Sequence, residues 1–277
     1  MNEPTVYADL HTHTTASDGA LAPSDLVRRA SKCGIKVLAV TDHDTLSGLR
    51  EAEDAADDED IQFVPGVELS TTHEGREIHV LAYGVDGGST ALRDHLGAMQ
   101  EARRKRVWTI VDRLREEGLD VPSELVTREI GDAHSPGRPH VATALLRADI
   151  VDTRSEAFDK YLARGRPGFV GKPDFPVVDA VAMVHEAGGV GILAHPGHWT
   201  SSRLIRALRD EGLDGLESIH PSHDSSLQRY YARLAEGYDL LTTGGSDFHG
   251  WRDKQGVALG QIGMSREAWE RFRDAIA

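Results

Sequence analysis

The chain reads Val37-Leu38-Ala39-Val40-Thr41-Asp42-His43-Asp44 at a point where an apolar run gives way to polar residues. A continuous apolar run is typical of a strand that is buried on both faces, as strands are in parallel sheets. The polar residues then lie at the carboxyl end of the strand, where α/β barrels build their active sites. We expect Asp42 and Asp44 to orient the imidazole of His43. The segment therefore predicts a barrel strand that carries a functional histidine.

Strand-like and helix-like segments alternate on both sides of this motif. Predicted strands cover residues 6–10, 37–40, 63–69, 78–83, 190–194, 215–219 and 240–243, and predicted helices cover residues 23–33, 46–56, 177–187, 204–209 and 227–235. Repeated strand–helix units imply a parallel sheet. We expect this sheet to be closed, or nearly closed, into a barrel.

The strand pattern stops between about residue 89 and residue 173. Helical stretches replace it at residues 92–117, 122–130, 139–147 and 155–163. We therefore predict a barrel made of residues 1–88 and 174–277, with residues 89–173 inserted as a helical subdomain beside the pocket. The run Arg103-Arg104-Lys105-Arg106 is expected to form a solvated face, the alternative being a contact surface for an anionic substrate.

Six histidines and three carboxylates occur in short motifs, most of them directly after an apolar run. The candidate metal ligands are His11, His13, Asp18, His43, Glu68, His79, His195, Asp247 and His249. Imidazole and carboxylate ligands together suit manganese, iron or zinc. Because this set is too large for one ion, we predict two to three divalent metal ions, with manganese favoured over iron or zinc.

The order of these motifs resembles the PHP (polymerase and histidinol phosphatase) superfamily. The resemblance covers essentially the whole chain, and further segments that carry it are Leu10-His11-Thr12-His13, Gly137-Arg138-Pro139-His140 and Gly244-Gly245-Ser246-Asp247-Phe248-His249-Gly250. It implies a distorted (β/α)7 barrel with a trinuclear metal centre. The chain is most similar to the stand-alone phosphoesterases of the family. These include 3',5'-nucleoside bisphosphate phosphatases and related enzymes that trim short RNAs from the 5' end.

The resemblance also implies how the ligands are shared among the metals. His11, His13, Glu68 and Asp247 would hold the first, Glu68, His79 and His195 the second, and Asp18, His43 and His249 the third. A water activated by the metals would be the nucleophile. Arg138 and His223 look like the family's phosphate contacts and are the predicted catalytic and substrate-binding residues. His198 and His220 are expected at the rim of the site.

Charge and composition exclude several classes of function. The net charge of -14 argues against a broad basic surface for duplex nucleic acid. It does not argue against an anionic substrate, because bound metals would make the pocket locally positive. No apolar run is long enough to cross a membrane, residues 1–4 show no leader pattern, and Cys33 is the single cysteine. We therefore expect a cytoplasmic location and no membrane partner.

Three functional hypotheses follow. The first is a metal-dependent phosphoesterase that converts nucleoside 3',5'-bisphosphates to nucleoside 5'-monophosphates and phosphate, with 5'-to-3' exonuclease action on short RNA as an extension. The second is a histidinol-phosphate phosphatase, which the helical insertion and the segment at residues 137–140 disfavour. The third is a non-catalytic metal-bound accessory module, which the complete ligand set disfavours. The native metal, the physiological substrate and the oligomeric state stay open.

Overall fold

The structure is a computed structural model that describes residues 6–251 and 258–276. The leader pattern considered above falls on residues 1–4, which lie outside these ranges. Among the described residues, no helix is both long enough and apolar enough to cross a membrane.

Seven strands form one sheet in which each strand pairs with the next along the chain. They are β1 (Ala8–Asp9), β2 (Val37–Val40), β3 (Gln62–His73), β4 (Arg76–Tyr83), β5 (Val190–Leu193), β6 (Gly215–Ile219) and β7 (Leu241–Gly244). The two outer strands meet where Leu10 N donates to Gly244 O at 3.2 Å. The sheet is therefore a nearly closed barrel, and the predicted fold class is confirmed.

The prediction of a wholly parallel sheet is wrong at one strand. β4 runs antiparallel to both β3 and β5. The β3–β4 connection has only two residues, Glu74 and Gly75, and both have positive φ, as a tight hairpin turn requires. Because β4 is reversed, its first residues lie at the barrel end where the parallel strands finish. His79 therefore reaches the same end of the barrel as His43, although it lies inside a strand.

The helices pack around the barrel or belong to the segment between β4 and β5. They are α1 (Pro23–Lys32), α2 (Leu49–Asp58), α3 (Thr90–Glu116), α4 (Ser123–Ile130), α5 (Arg138–Arg147), α6 (Arg154–Ala157), α7 (Val177–Glu186), α8 (Ser202–Asp210), α9 (Ser225–Tyr238) and α10 (Arg266–Arg273), with a π-helical turn at Phe158–Leu162. The sequence did not predict α10. This charged helix buries Trp269 and Phe272 in a core cluster with Ala8 and Leu10, so it covers the barrel beside β1.

The segment between β4 and β5 is helical, and the described chain has no strand there. It has a hydrophobic cluster of its own, in which Ile110 and Leu114 of α3 pack with Val141 and Leu145 of α5. The start of α3 behaves differently, because Leu92 packs in the core of the barrel. The division into a barrel and an insertion at residues 89–173 stays a proposal, and α3 would connect the two parts.

Gly245 lies where the chain after β7 passes against His11. A Cβ atom on Gly245 would lie 2.4 Å from His11 Cβ and 2.5 Å from His11 N. We expect Gly245→Ala to lower the free energy of unfolding by about 1–3 kcal/mol, because the backbone at His11 must move. Gly237→Ala is the control. No atom lies within 4 Å of the corresponding Cβ in α9, and the exchange should raise stability by about 0.4–1 kcal/mol.

Urea unfolding of both variants measures these effects. If the Gly245→Ala protein were as stable as the wild type, the segment after β7 would not pack as closely against His11 as the structure shows.

Candidate metal centre

All nine candidate ligands lie at one end of the barrel. His11 and His13 follow β1, Asp18 lies in the loop before α1, His43 follows β2, Glu68 lies in β3, His79 lies in β4, His195 follows β5, and Asp247 and His249 follow β7. Each of them has a ligand atom within 3.9 Å of a ligand atom of another member. The structure thus brings together residues that are separated by more than two hundred positions in sequence.

Glu68 lies at the centre of the group. Its Oε1 atom is 2.7 Å from His79 Nδ1 and 3.0 Å from His195 Nε2. Its Oε2 atom is 2.8 Å from His43 Nδ1, 3.3 Å from His13 Nε2 and 3.5 Å from His11 Nε2. Two carboxylate oxygens that face five imidazoles are well placed to bridge metal ions.

Asp247 and Asp18 complete the group on the side away from His79. Asp247 Oδ1 lies 3.2 Å from His13 Nε2 and 3.4 Å from His249 Nδ1. Asp18 Oδ1 lies 3.3 Å from His249 Nε2.

Three sets of ligand atoms are each close enough to hold one ion. These sets are His13, Asp18, His43 and His249; His11, His13 and Glu68; and His43, Glu68 and His79. They overlap, so His13 and His43 each belong to two sets. The sharing implied by the resemblance gave each of these histidines to one metal only. The sharing of ligands among the metals stays a prediction, and the overlap of the sets indicates that the ligands form one compact cluster.

The donor atoms fit divalent metals. His11 Nε2, His13 Nε2 and Glu68 Oε2 are buried and have no hydrogen-bond partner among the described residues. Buried polar atoms without partners are costly, and the cost disappears if they bind a cation. Ligand atoms on one ion lie about 3 Å apart when each metal–ligand bond is about 2.1 Å long. The contacts around Glu68 have this spacing.

The protonation states suit metal binding at some of the ligands and oppose it at two. Burial lowers the pKa of His43 to about 3, and burial together with the neighbouring His249 lowers the pKa of His13. Burial acts to raise the pKa of Glu68, but the imidazoles of His43 and His79 outweigh it and hold that pKa well below its usual range. Neutral imidazoles and an ionised carboxylate are the forms that bind metals.

Burial acts to lower the pKa of His11 and His79, but Glu217 and Glu68 raise that of His11 and Glu68 raises that of His79, so a metal would have to displace their protons.

Glu217 is a functional candidate that the sequence reading missed. It is buried in β6, accepts a hydrogen bond from His195 N at 2.8 Å, and lies 3.0 Å from His11 Nδ1. Because Nδ1 of His11 is engaged in this way, its Nε2 is directed at Glu68. The signal was present in the sequence, since a carboxylate inside an apolar strand is rarely left without a partner.

We expect Glu217→Gln to weaken metal binding by roughly ten- to a hundredfold, because outer partners of metal-binding histidines have effects of this size. Metal titration in the presence of a competing chelator measures the change. Excess metal should restore activity, and the exposed Glu236→Gln on α9 should match the wild type. Unchanged metal affinity in Glu217→Gln would show that Glu217 does not orient the histidines.

The two aspartates beside His43 do not have the predicted role. Asp42 accepts hydrogen bonds from Thr14 N at 2.8 Å and from Thr14 Oγ1 at 2.6 Å. Asp44 accepts from Arg103 Nε at 2.6 Å. Their carboxylates therefore hold neighbouring segments in place, while Nδ1 of His43 faces Glu68. The prediction failed because the chain turns sharply after β2, where Asp44 has a φ of 48°.

The basic run at residues 103–106 is only half solvated. Arg104 and Lys105 are exposed as expected, whereas Arg103 and Arg106 are buried. The buried pair is three residues apart and therefore lies on one face of α3. That face is turned toward the barrel, since Arg103 contacts Asp44.

Four cations converge beside the candidate metal ligands. We call Arg103, Arg106, Arg138 and Lys172 the cation cluster. Asp44 and Glu77 are the carboxylates that pair with it. Burial, together with repulsion from Arg138 and Arg103, lowers the pKa of Arg106 to about 9. An excess of buried positive charge of this kind attracts anions.

Arg138 is the first residue of α5, and its side chain is half-buried. The guanidinium lies 5.5 Å from the Phe169 ring centre and 3.8 Å from Glu77 Oε2. Glu77 Oε1 in turn lies 3.4 Å from His79 Nε2, and Lys172 Nζ lies 3.3 Å from the same nitrogen. Glu77 therefore lies between Arg138, the predicted phosphate contact, and His79, a candidate metal ligand.

His223 has partners that differ from the expected ones. Gly197 N donates to its Nε2 at 3.0 Å, and its Nδ1 lies 3.1 Å from Ser218 O. Both nitrogens are therefore engaged with the backbone, and the side chain holds the loop after His195 rather than offering a free donor to a phosphate. His220, which was expected at the rim, instead points inward, with Nε2 3.5 Å from Asp247 Oδ2.

A family model described as the PHP domain matches residues 9–186 of the chain. The chain belongs to the PHP domain family. The family predicted from the motif order is thus confirmed, and the matched range includes six of the nine candidate ligands.

Relatives of this PHP protein are named as hydrolases of phosphate esters. It is 35% identical to a 5'-3' exoribonuclease of Haemophilus influenzae over 95% of this chain and 98% of that protein. It is 33% identical to a 3',5'-nucleoside bisphosphate phosphatase of Chromobacterium violaceum, over 87% of this chain and 86% of the relative. It is 35% identical to a phosphoribosyl 1,2-cyclic phosphate 1,2-diphosphodiesterase of Eggerthella lenta, over 87% of this chain and 94% of that protein.

Solved structures agree with the fold. A protein from Bifidobacterium adolescentis described as a metal-dependent phosphoesterase matches with a TM-score of 0.88 at 30% identity, covering 98% of this chain and 96% of the other. An amidohydrolase from Chromobacterium violaceum with bound sulfate matches with a TM-score of 0.87 at 30% identity, covering 96% of both chains.

Proposed function

We propose that this PHP protein is a metal-dependent phosphoesterase that converts nucleoside 3',5'-bisphosphates to nucleoside 5'-monophosphates and phosphate. The observation that carries the proposal is the position of the cation cluster directly beside the nine candidate ligands. A substrate with two phosphates needs both features, because one phosphate reacts and the other has to be held. The Chromobacterium violaceum phosphatase supports this choice of substrate.

Each part of the site would have its own task. Divalent ions held there would supply an activated water and a Lewis acid for the reacting phosphate. Glu68 and the surrounding imidazoles would hold these ions, and Glu217 keeps the His11 imidazole and the His195 backbone in position. Arg138 supplies a planar guanidinium that suits a phosphate in a bidentate contact.

Trimming of short RNA from the 5' end is the second candidate function. It is favoured by the similarity to the Haemophilus influenzae exoribonuclease, which extends over nearly the whole of both chains. The two activities can share one site, because both require a phosphate at the metals and another anionic group nearby. Histidinol-phosphate phosphatase and a non-catalytic module are not favoured, since the relatives described above are named for other phosphoester substrates. Two or three manganese ions and a cytoplasmic location remain part of the proposal.

A substrate panel tests the proposal. Phosphate release would be measured with a nucleoside 3',5'-bisphosphate, a 5'-phosphorylated dinucleotide and histidinol phosphate, each with added manganese, iron or zinc. We expect the bisphosphate to react fastest with manganese, and elemental analysis to find two to three divalent ions per chain. Activity that persists in a chelator, or a preference for histidinol phosphate, would overturn the proposal.

A further inference from the structure

A second recess opens beside the metal-binding residues, separate from the cation cluster. It is a cleft of about 350 Å³ between the barrel loop at residues 15–20 and the helical segment at residues 128–154. Asp18, a candidate metal ligand, is one of its lining residues, as are His140 and Thr143 of α5. The volume lies in the range of small-molecule pockets.

α5 separates this cleft from the cation cluster. Arg138, at the start of the helix, contacts Glu77 on one side. His140 and Thr143 follow two and five residues later, and they line the cleft on the other side. A group bound at the metals therefore has two recesses next to it, one on each side of the same helix.

The charge of the cleft differs from that of the cation cluster. Apart from Asp18, its charged residues are Arg128, Glu129, Asp132 and Arg154. The described lining thus has two guanidinium groups and two carboxylates besides Asp18, so these residues offer no excess of positive charge for a phosphate. A neutral group with polar edges is a better match.

One wall of the cleft is planar. The guanidinium carbon of Arg154 lies 4.3 Å from the ring centre of Trp251. Trp251 is itself fixed to the metal-binding loop, because its Nε1 donates to Asp18 O at 2.8 Å. Aromatic rings and guanidinium planes are the surfaces on which proteins stack nucleobases.

We propose that this cleft binds the nucleobase attached to the ribose whose phosphate reacts at the metals. The inference rests on the proposed function. A nucleoside bisphosphate has three groups on one ribose, which are two phosphates and a base. The metal-binding residues and the cation cluster take the two phosphates, and the cleft takes the base. The same cleft would take the first base of a short RNA.

The test compares substrates with and without a base. The value of kcat/KM would be measured for adenosine 3',5'-bisphosphate and for 1-O-methylribose 3,5-bisphosphate, which lacks the base. We expect the wild type to prefer the nucleotide by roughly tenfold or more, in line with one stacked base. Equal values for the two substrates would overturn the inference while leaving the phosphatase proposal intact.

Two variants locate the preference in the cleft. Thr143→Phe should fill the cleft and reduce the ratio to about 1, and Arg154→Met should reduce it by removing the stacking plane. Thr109→Phe is the matched control. Thr109 Oγ1 and Thr143 Oγ1 each donate to a backbone carbonyl four residues earlier in a helix. Thr109, however, is exposed and lies outside the lining of the cleft. This control should keep the wild-type ratio. An unchanged ratio in both cleft variants, with folding verified by circular dichroism, would place the base elsewhere.

A binding measurement separates this inference from the proposed function. If neither bisphosphate is hydrolysed, the proposed function fails, and calorimetry with adenosine 5'-monophosphate and ribose 5-phosphate still reports on the cleft. Tighter binding of the nucleotide by roughly tenfold, lost in Thr143→Phe, supports the cleft as a base site. Equal binding of the two compounds overturns it.

Discussion

Glu68→Gln is expected to remove the bound metal and to lower kcat/KM by roughly a thousandfold, since metal ions contribute several kcal/mol to such reactions. The exchange keeps the size of the side chain and removes its charge. Both Glu68 oxygens face imidazoles, with His79 Nδ1 at 2.7 Å and His43 Nδ1 at 2.8 Å. A neutral amide at this position cannot bridge cations, so the whole cluster should lose affinity. Elemental analysis and steady-state kinetics on the same preparation measure the two effects.

Glu53→Gln is the control for this experiment, because Glu53 is exposed on α2. It should retain metal and activity. The loss of metal and activity should be largest in Glu68→Gln, smaller in Glu217→Gln and absent in Glu53→Gln. Excess metal should restore the activity of Glu217→Gln. A Glu68→Gln protein that keeps its full metal content and activity would show that Glu68 is not the bridging ligand.

Most of the candidate metal centre could be predicted, because its residues follow the ends of the predicted strands. His195 comes directly after a short apolar run and His43 follows one after two polar residues, and a parallel strand places its last residues at the active end of a barrel. Glu68 was found by a different rule, as a charge inside an otherwise apolar strand. The same rule applies to Glu217 in β6, which was overlooked because no motif surrounds it.

Strand direction could not be read from hydrophobic periodicity. A buried strand has the same apolar pattern in either direction, so β4 was taken as parallel. The available signal was the short gap at residues 70–77 between the two predicted strands, because a parallel crossover needs a dozen residues or more. In the structure the connection is shorter still, with only Glu74 and Gly75. The reversal explains why His79 serves the site from inside a strand.

The burial of Arg103 and Arg106 could be predicted only by considering which face of α3 packs inward. Leu96, Met99, Val107 and Ile110 form the buried stripe of this helix, and Arg103 continues it. A sequence reading that counts the charges together treats residues 103–106 as one solvated run. Reading them at helical spacing would have separated the inward pair from the outward pair.

Arg138→Ala is expected to lower kcat/KM for a nucleoside bisphosphate by roughly ten- to a hundredfold, the effect of losing one charge-assisted contact. An aryl phosphate has no second phosphate for Arg138 to hold, so its hydrolysis should change little. Metal content should stay the same, because Lys172 still pairs with Glu77 next to His79. Comparing the two substrates therefore separates a clamp for the second phosphate from a role in metal binding.

Two further variants test the reason for the effect. Arg138→Lys keeps the charge but loses the planar pair of donors, so it should recover only part of the activity on the bisphosphate. Arg28→Ala removes the same charge from an exposed position on α1, where Arg28 pairs with Asp25, and should behave as the wild type. If the effect came only from long-range attraction of the anion, both alanine variants would lose activity, whereas the loss of a direct contact affects only Arg138→Ala. Equal losses on the bisphosphate and the aryl phosphate would remove Arg138 as a selective clamp and leave the cation cluster with a structural role.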